Sequence, residues 1–303
     1  MPSLTAQLWE RLKSRDLVTA WNEKMQIELK QPAFQRDGAF IDRTMLPLMR
    51  IMSRYFGGEV RGLDRIPRSG GSLLVGNHSG GTITPDTTVL IAAFYDELGV
   101  ERPLVLLGLD ALFAIPRFNT MIRKLGLVPA SGDTAARALA EGSNVLVYPG
   151  GADEAFRPWT DRNRVDLRGR KGFVRLALST GVPVVPIVAH GGHDTTFVLS
   201  RGEDLAVTMG MDRMRLGIFP IVLQFPWGVS TAATPGIPLP AKITIQVCEP
   251  LDWSKYGPEA ARDQVVIDRC YDEISTVMQD TLDRLVEERP RPLVDGLRRL
   301  LPL

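Results

Sequence analysis

Apolar positions recur at three- and four-residue spacing from Ser3 to about Lys30 and again from about Phe40 to Phe56, as in Leu4, Leu8, Leu12 and Met45, Leu48, Met49, Met52. That period predicts two amphipathic helices. Such helices either bury their apolar face in a core or lay it on a membrane surface, and the pattern alone suits both. Further along, the pattern turns into short apolar runs: Ser72 to Gly76, Leu104 to Leu107, Val145 to Tyr148, Val184 to Val188 and Ile243 to Val247. Each is β-branched or leucine-rich and bounded by Gly, Pro or Asn, as buried strands are. Helical candidates lie between them at Thr87 to Leu98, Phe118 to Leu125, Thr134 to Glu141 and Gly172 to Thr180. The alternation predicts an α/β layer architecture with one central sheet. A last helix, Glu259 to Glu288, is charged on one face and carries Val266, Tyr271, Ile274, Met278, Leu282 and Leu285 on the other. The reading is an N-terminal helical segment over residues 1–57 and an α/β domain over 58–303 that includes the C-terminal helix. The tail ERPRPLVDGLRRLLPL is expected as a surface appendage or a weak membrane contact.

Composition narrows the classes. A formal net charge of +1 over 303 residues argues against a nucleic-acid coat, whose work leaves a strongly basic balance. Cys248 and Cys270 lack the spacing of a disulfide framework or zinc site, so a reducing cytoplasm is expected. The opening MPSLTAQLWERLKSRDLVTAW is charged throughout, unlike a signal peptide. The longest uncharged run, Leu216 to Ala241, is broken by Pro220, Pro226, Pro235, Pro238 and Pro240. It reads as irregular loop rather than a membrane span, which needs about 20 apolar residues.

Two strand ends carry candidate chemistry. In LLVGNHSGGTITPDTTVL an apolar strand enters a polar turn with Asn77, His78, Ser79, Gly80, Gly81 and Asp86. Histidine is suited to accept a proton near neutral pH, and a carboxylate can fix its tautomer and stabilise the imidazolium. His78 and Asp86 supply such a pair. Ser79 lacks the Gly-x-Ser-x-Gly elbow of an α/β-hydrolase and adjoins His78 directly, so it reads as a turn residue or substrate contact. In NVLVYPGGADEAFRP a second strand enters a turn with Gly150 and Gly151, followed by Glu154 and Arg157. Paired glycines there suit either a tight turn or a close approach of backbone to an anion. His190 and His193 in HGGHD lack the further ligands a zinc site needs, and a loop role is expected.

Together with GLDALFAIPRFNTMIRKLGLVPAS and VPVVPIVAHG, these segments resemble the phospholipid and glycerol acyltransferase family over Arg61 to Pro250. RGLDRIPRSGGSLLVGNH is similar to the family's lead-in to its catalytic histidine, and VYPGG stands where many members show FPEGT. The PGG-x-x-E-A form followed by RGRKGFVRLAL looks more like the diacylglycerol-acyltransferase-related and phytyl-ester-synthase-like branches. The resemblance implies a central mixed sheet flanked by helices, as in glycerol-3-phosphate acyltransferases. It also implies an O-acyltransferase, peripheral on the inner face of the cytoplasmic membrane. In that mechanism His78 deprotonates a glycerolipid or other lipid-like alcohol, which attacks an acyl-CoA or acyl-carrier-protein thioester without an acyl-enzyme. Acyl-CoA is then a co-substrate, and no metal, cofactor or nucleic-acid partner is implied. One departure is plain: the family separates its histidine and aspartate by four residues, whereas Ile83 holds that place here and the next aspartate is Asp86.

The resemblance further assigns oxyanion donors to backbone near Gly80 and Gly81 or Gly150 and Gly151. Asn77, Ser79, Glu154, Arg157 and Lys171 become substrate contacts. The basic run from Arg157 to Arg175 suits CoA phosphates, lipid headgroups or a solvated face. The apolar stretch from Ile218 to Trp227 suits an acyl groove, a membrane dip or a buried connection. Two rival readings share the fold: a thioesterase or lipid esterase with water as acceptor, and a non-catalytic lipid-binding protein.

Overall fold

The computed structural model describes residues 34–300 except 114, 116, 210, 212–216 and 235, together with Thr19, Glu23 and Ile27. The helix expected over Ser3 to Lys30 lies outside the described residues but for those three positions. The predicted helix from Phe40 is realised as a turn at Gly38–Phe40, a π-helical stretch at Ile41–Met45 and helix α1, Leu46–Tyr55. Its buried side chains, Ile41, Leu46, Met49 and Phe56, share one core with Leu74, Leu90, Ile91 and Phe94.

Seven strands form the main sheet: β1 (Glu59–Arg61), β2 (Ser72–Gly76), β3 (Leu104–Gly108), β4 (Leu127–Pro129), β5 (Asn144–Val147), β6 (Val184–His190) and β10 (Thr244–Val247). Their order is β1-β10-β6-β2-β5-β3-β4. The strands from β6 to β4 run parallel, while β10 is antiparallel to β6. The sheet is therefore mixed, as expected. All five residues of β2 are buried, which explains a continuous apolar run where a one-sided sheet would alternate. Leu73 and Val75 face one core with helices α4 (Gly132–Ala140), α6 (Gly172–Thr180) and α7 (Gln264–Glu288); Leu74 faces the other, with α1 and α2 (Pro85–Leu98). Each such side chain contributes about 1.5–3 kcal/mol by leaving water.

Local signals set the helix ends. Pro85 opens α2, where its missing N–H costs nothing. Ser131 caps α4 and Asp263 caps α7, the latter accepting from the Val265 N–H at 2.9 Å. The last helix starts five residues later than predicted because Pro258–Arg262 is a 3₁₀ turn. Three further helices are α3 (Phe118–Lys124), α5 (Gly151–Ala155) and α8 (Pro292–Leu300), of which α5 carries Glu154.

The stretch Leu216 to Ala241 is not an irregular loop. It contains β8 (Ile221–Gln224) and β9 (Gly228–Thr231), which join β7 (Phe197–Ser200) in a three-stranded antiparallel sheet. Pro220 precedes β8 and Pro226 lies in the turn between the strands, so neither removes a ladder donor. Val198 and Val222 are buried under this sheet, whereas Leu223 and Val229, directly opposite each other, are exposed.

Candidate active site

The carboxyl ends of β2, β5 and β6 lie side by side, and each runs into a turn that bears polar side chains. That is where open α/β sheets place their ligands. Asn77, at the end of β2, donates its side-chain amide to the Ala189 carbonyl at 2.9 Å and accepts from the Ala189 N–H at 2.7 Å. This pair of hydrogen bonds clamps the ends of β2 and β6 together.

His78 follows, and its Nδ1 lies 3.1 Å from Asp86 Oδ2. Spacing alone does not explain the approach. After Ser79 the chain turns through Gly80 and Gly81, at φ 81° and 60°, into a 3₁₀ turn at Gly81–Ile83 before α2 begins. The extra residues relative to the family's spacing fold into that turn and bring Asp86, in the first turn of α2, back to the imidazole. The carboxylate is buried and fully engaged: Oδ2 accepts from the Ser79 N–H at 2.7 Å and hydroxyl at 3.3 Å, and Oδ1 from the Thr87 N–H at 2.6 Å. A carboxylate held by so many donors has little freedom to leave the histidine.

The imidazole stacks on Tyr148 from the end of β5, with ring centroids 4.2 Å apart and planes 14° from parallel. Thr87 fixes the tyrosine by donating to its hydroxyl at 2.9 Å. Nothing within the His78 segment announces this contact; its only trace in the sequence is an aromatic residue just before PGG. The His78 side chain keeps 15% exposure, so the ring is not sealed from solvent. Burial pulls the imidazole's pKa down, but the charge and hydrogen bond of Asp86, helped by Glu154, more than reverse this, so it stands above its ordinary value.

Glu154 is fully buried on α5. Its Oε2 accepts from the His78 N–H at 3.0 Å, and its Oε1 from the Asp166 N–H at 3.0 Å and from Arg157 Nη2 at 3.2 Å. Burial pushes its pKa up to about 7 against the pull of Arg157. Any side chain at Gly150 would strike the Glu154 carboxylate and the Asp166 carbonyl. Gly150 therefore makes room for a carboxylate supplied one helical turn later.

The residues expected as substrate contacts differ in where the fold puts them. Asn77, Ser79 and Glu154 are buried, and their polar atoms serve the turn itself. The Gly151 N–H donates to the Tyr148 carbonyl at 3.0 Å, so it is not a free oxyanion donor. Lys171 is not brought to the site: it pairs with Asp268 on α7 at 2.7 Å. Arg168 and Arg170 pair with Asp153, which breaks the basic run into local ion pairs. Arg157 alone of the expected contacts keeps unspent donors, since its Nε and Nη1 are buried without a partner. His190 donates its Nε2–H to the Arg289 carbonyl at 2.9 Å. A cavity of about 400 Å³ lined by Arg65, Cys248, Thr281 and Arg284 lies between the carboxyl end of β10 and α7, toward the amino end of β6, and none of the residues around His78 line it.

Comparison with known proteins follows this geometry. Residues 58–190 match the family model described as Acyltransferase, a span that holds His78, Asp86, Tyr148, Glu154 and Arg157. An uncharacterized protein of Mycobacterium tuberculosis is 34% identical, the match covering 84% of this chain and 69% of that protein. Diacylglycerol O-acyltransferase 1 of Saccharomyces cerevisiae is 32% identical over 36% of this chain and 27% of its own length. Among solved structures, the 1-acyl-sn-glycerophosphate acyltransferase from Thermotoga maritima superposes with a TM-score of 0.48 at 18% identity, covering 80% of this chain and 79% of that one. That likeness is too loose to carry residue roles across.

Proposed function

Because this chain belongs to the phospholipid and glycerol acyltransferase family, we propose that it moves a fatty acyl group from an acyl-CoA or acyl-carrier-protein thioester to the hydroxyl of a lipid alcohol. The observation that carries the reading is the 3.1 Å contact of His78 Nδ1 with a carboxylate that cannot swing away. With Nδ1 so held, Nε2 takes the proton of the acceptor hydroxyl. The freed oxygen attacks the thioester carbonyl carbon, whose π electrons move onto its oxygen. Collapse of that adduct expels the thiolate, which takes the proton from Nε2, and no acyl-enzyme forms.

A neutral acceptor such as a diacylglycerol fits best. The yeast relative is named for that acceptor, and the cations of the 157–175 run are largely committed to neighbouring acids. Labelled palmitoyl-CoA added to protein and diacylglycerol vesicles tests this. Label should appear in triacylglycerol; free palmitate formed at one rate with or without the acceptor would make the protein a hydrolase.

The three-stranded sheet is the proposed membrane contact. Phe225 and Trp227 at the tip of its hairpin, with Leu223, Val229 and Ile237, are 42–67% exposed, and no charged residue occurs from Leu216 to Ala241. Tryptophan and uncharged apolar side chains favour the headgroup boundary. The sheet also touches the catalytic turn, since Thr82 donates to the Ala232 carbonyl at 3.0 Å. A lipid acceptor would thus meet His78 beside the bilayer. No helix of the described residues is long and apolar enough to cross a membrane. Replacing both Phe225 and Trp227 by Ser should weaken co-sedimentation with vesicles about tenfold or more, the loss expected from two half-buried aromatic side chains. Unchanged binding would place the contact elsewhere.

A further inference from the structure

His193 is the polar group near the site that the family reading leaves without a task. It sits in the 3₁₀ turn Gly192–Asp194 after β6, is 4% exposed, and neither ring nitrogen has a hydrogen-bond partner. A buried imidazole with both nitrogens unsatisfied costs stability and calls for an explanation. Arg157 presents the same anomaly, since its Nη2 is spent on Glu154 while Nε and Nη1, also buried, are not.

The two residues belong to one constellation. Trp159, two residues after Arg157, donates to Asp194 Oδ1 at 3.1 Å and so staples the Arg157 segment to the His193 turn. The same turn packs on the catalytic one, for a methyl group at Gly192 would collide with the Ser79 side chain. Burial, and then the Arg157 cation and His78, hold the His193 imidazole well below its ordinary pKa, so it is neutral and has one N–H to donate. Three backbone donors of the neighbouring turns, the N–H groups of His78, Ser79 and Gly151, are already occupied.

From these unspent donors we propose that Arg157 and His193 together hold the carbonyl oxygen of the acyl thioester and receive the negative charge that forms on it. The inference rests on the acyltransferase reading and assigns side-chain donors to its oxyanion. Preset donors in a site shielded from water stabilise such charge strongly because they need not reorganise. A guanidinium offers charge and two N–H groups; a neutral imidazole adds a third donor without a second cation beside His78.

The test compares His193→Leu and His193→Gln with wild type in full steady-state kinetics and in thermal melts. His193→Leu should lose about 10²-fold in kcat, the usual scale for one oxyanion donor. Its KM values should stay within about threefold. Its melting temperature should hold or rise, since two unsatisfied nitrogens leave the interior. His193→Gln, which restores a donor, should recover turnover to within about tenfold of wild type. Full kcat in His193→Leu overturns the proposal, as does a fall in kcat and melting temperature together that Gln does not repair. A rise confined to the acceptor's KM would assign the pair to the acceptor instead and also overturns it. A wild type that only hydrolyses the thioester would sink the transfer reading. Hydrolysis passes through the same oxyanion, so the His193 variants would still decide the present inference.

Discussion

His78→Ala should lower kcat by about two to four orders of magnitude while leaving the melting temperature nearly unchanged, the scale set by removal of a general base. Both halves follow from the geometry. The imidazole combines a fixed carboxylate partner with a side chain that stays partly exposed. Its loss does not orphan Asp86, whose Oδ2 still accepts from the Ser79 N–H and hydroxyl and whose Oδ1 still accepts from Thr87. Tyr148 loses a stacking partner and keeps its bond to Thr87. Initial rates of acyl transfer to diacylglycerol, measured beside a thermal melt, check both. A loss under about tenfold would point to another base.

Glu154→Ala should destabilise the protein by about 3–5 kcal/mol, the cost of breaking a buried ion pair from one side. The Arg157 cation would remain buried with no carboxylate beside it, and the N–H groups of His78 and Asp166 would lose their acceptor. Activity should fall as well, because the His78 backbone is anchored through that carboxylate. Glu154→Gln keeps the shape and one acceptor oxygen and should cost less. Equilibrium urea titration of the three proteins gives the numbers. A change under about 1 kcal/mol for the alanine variant would mean that the pair contributes no more than an exposed one.

The strands of the main sheet were legible where burial on both faces makes a run of apolar residues, as at SLLVG and VVPIVAH. β1 and β4, three residues each, lie at the sheet edges, and runs so short leave no period to read. The hairpin at Ile221–Thr231 was obscured by prolines that turn out to flank its strands. At the site, the pairing of His78 with Asp86 was readable from residue types, although the 3₁₀ turn that closes the distance was not. Residue type also carries no information on burial at these turns. Asn77, Ser79 and Glu154 are polar residues in glycine-rich turns, as ligand contacts are, yet all three are buried and spend their atoms holding the turn. Tyr148 reaches His78 from the end of β5, and the turn that holds His193 packs on Ser79 from the end of β6; such meetings across the sheet have no signature in local sequence.

In the proposed reaction one proton moves to an imidazole whose basicity Asp86 raises. The base must be unprotonated to work, and the folded protein holds His78 above its ordinary pKa. kcat/KM should therefore fall on the acid side through a midpoint above about 6.5, the ordinary value for histidine. The decisive measurement is the pH dependence of kcat/KM for wild type and Asp86→Asn side by side. Removing the negative charge should lower the rate throughout and move the acid limb to lower pH. A limb that stays in place in Asp86→Asn, with the rate intact, would contradict the pairing of His78 with Asp86 as the source of catalysis.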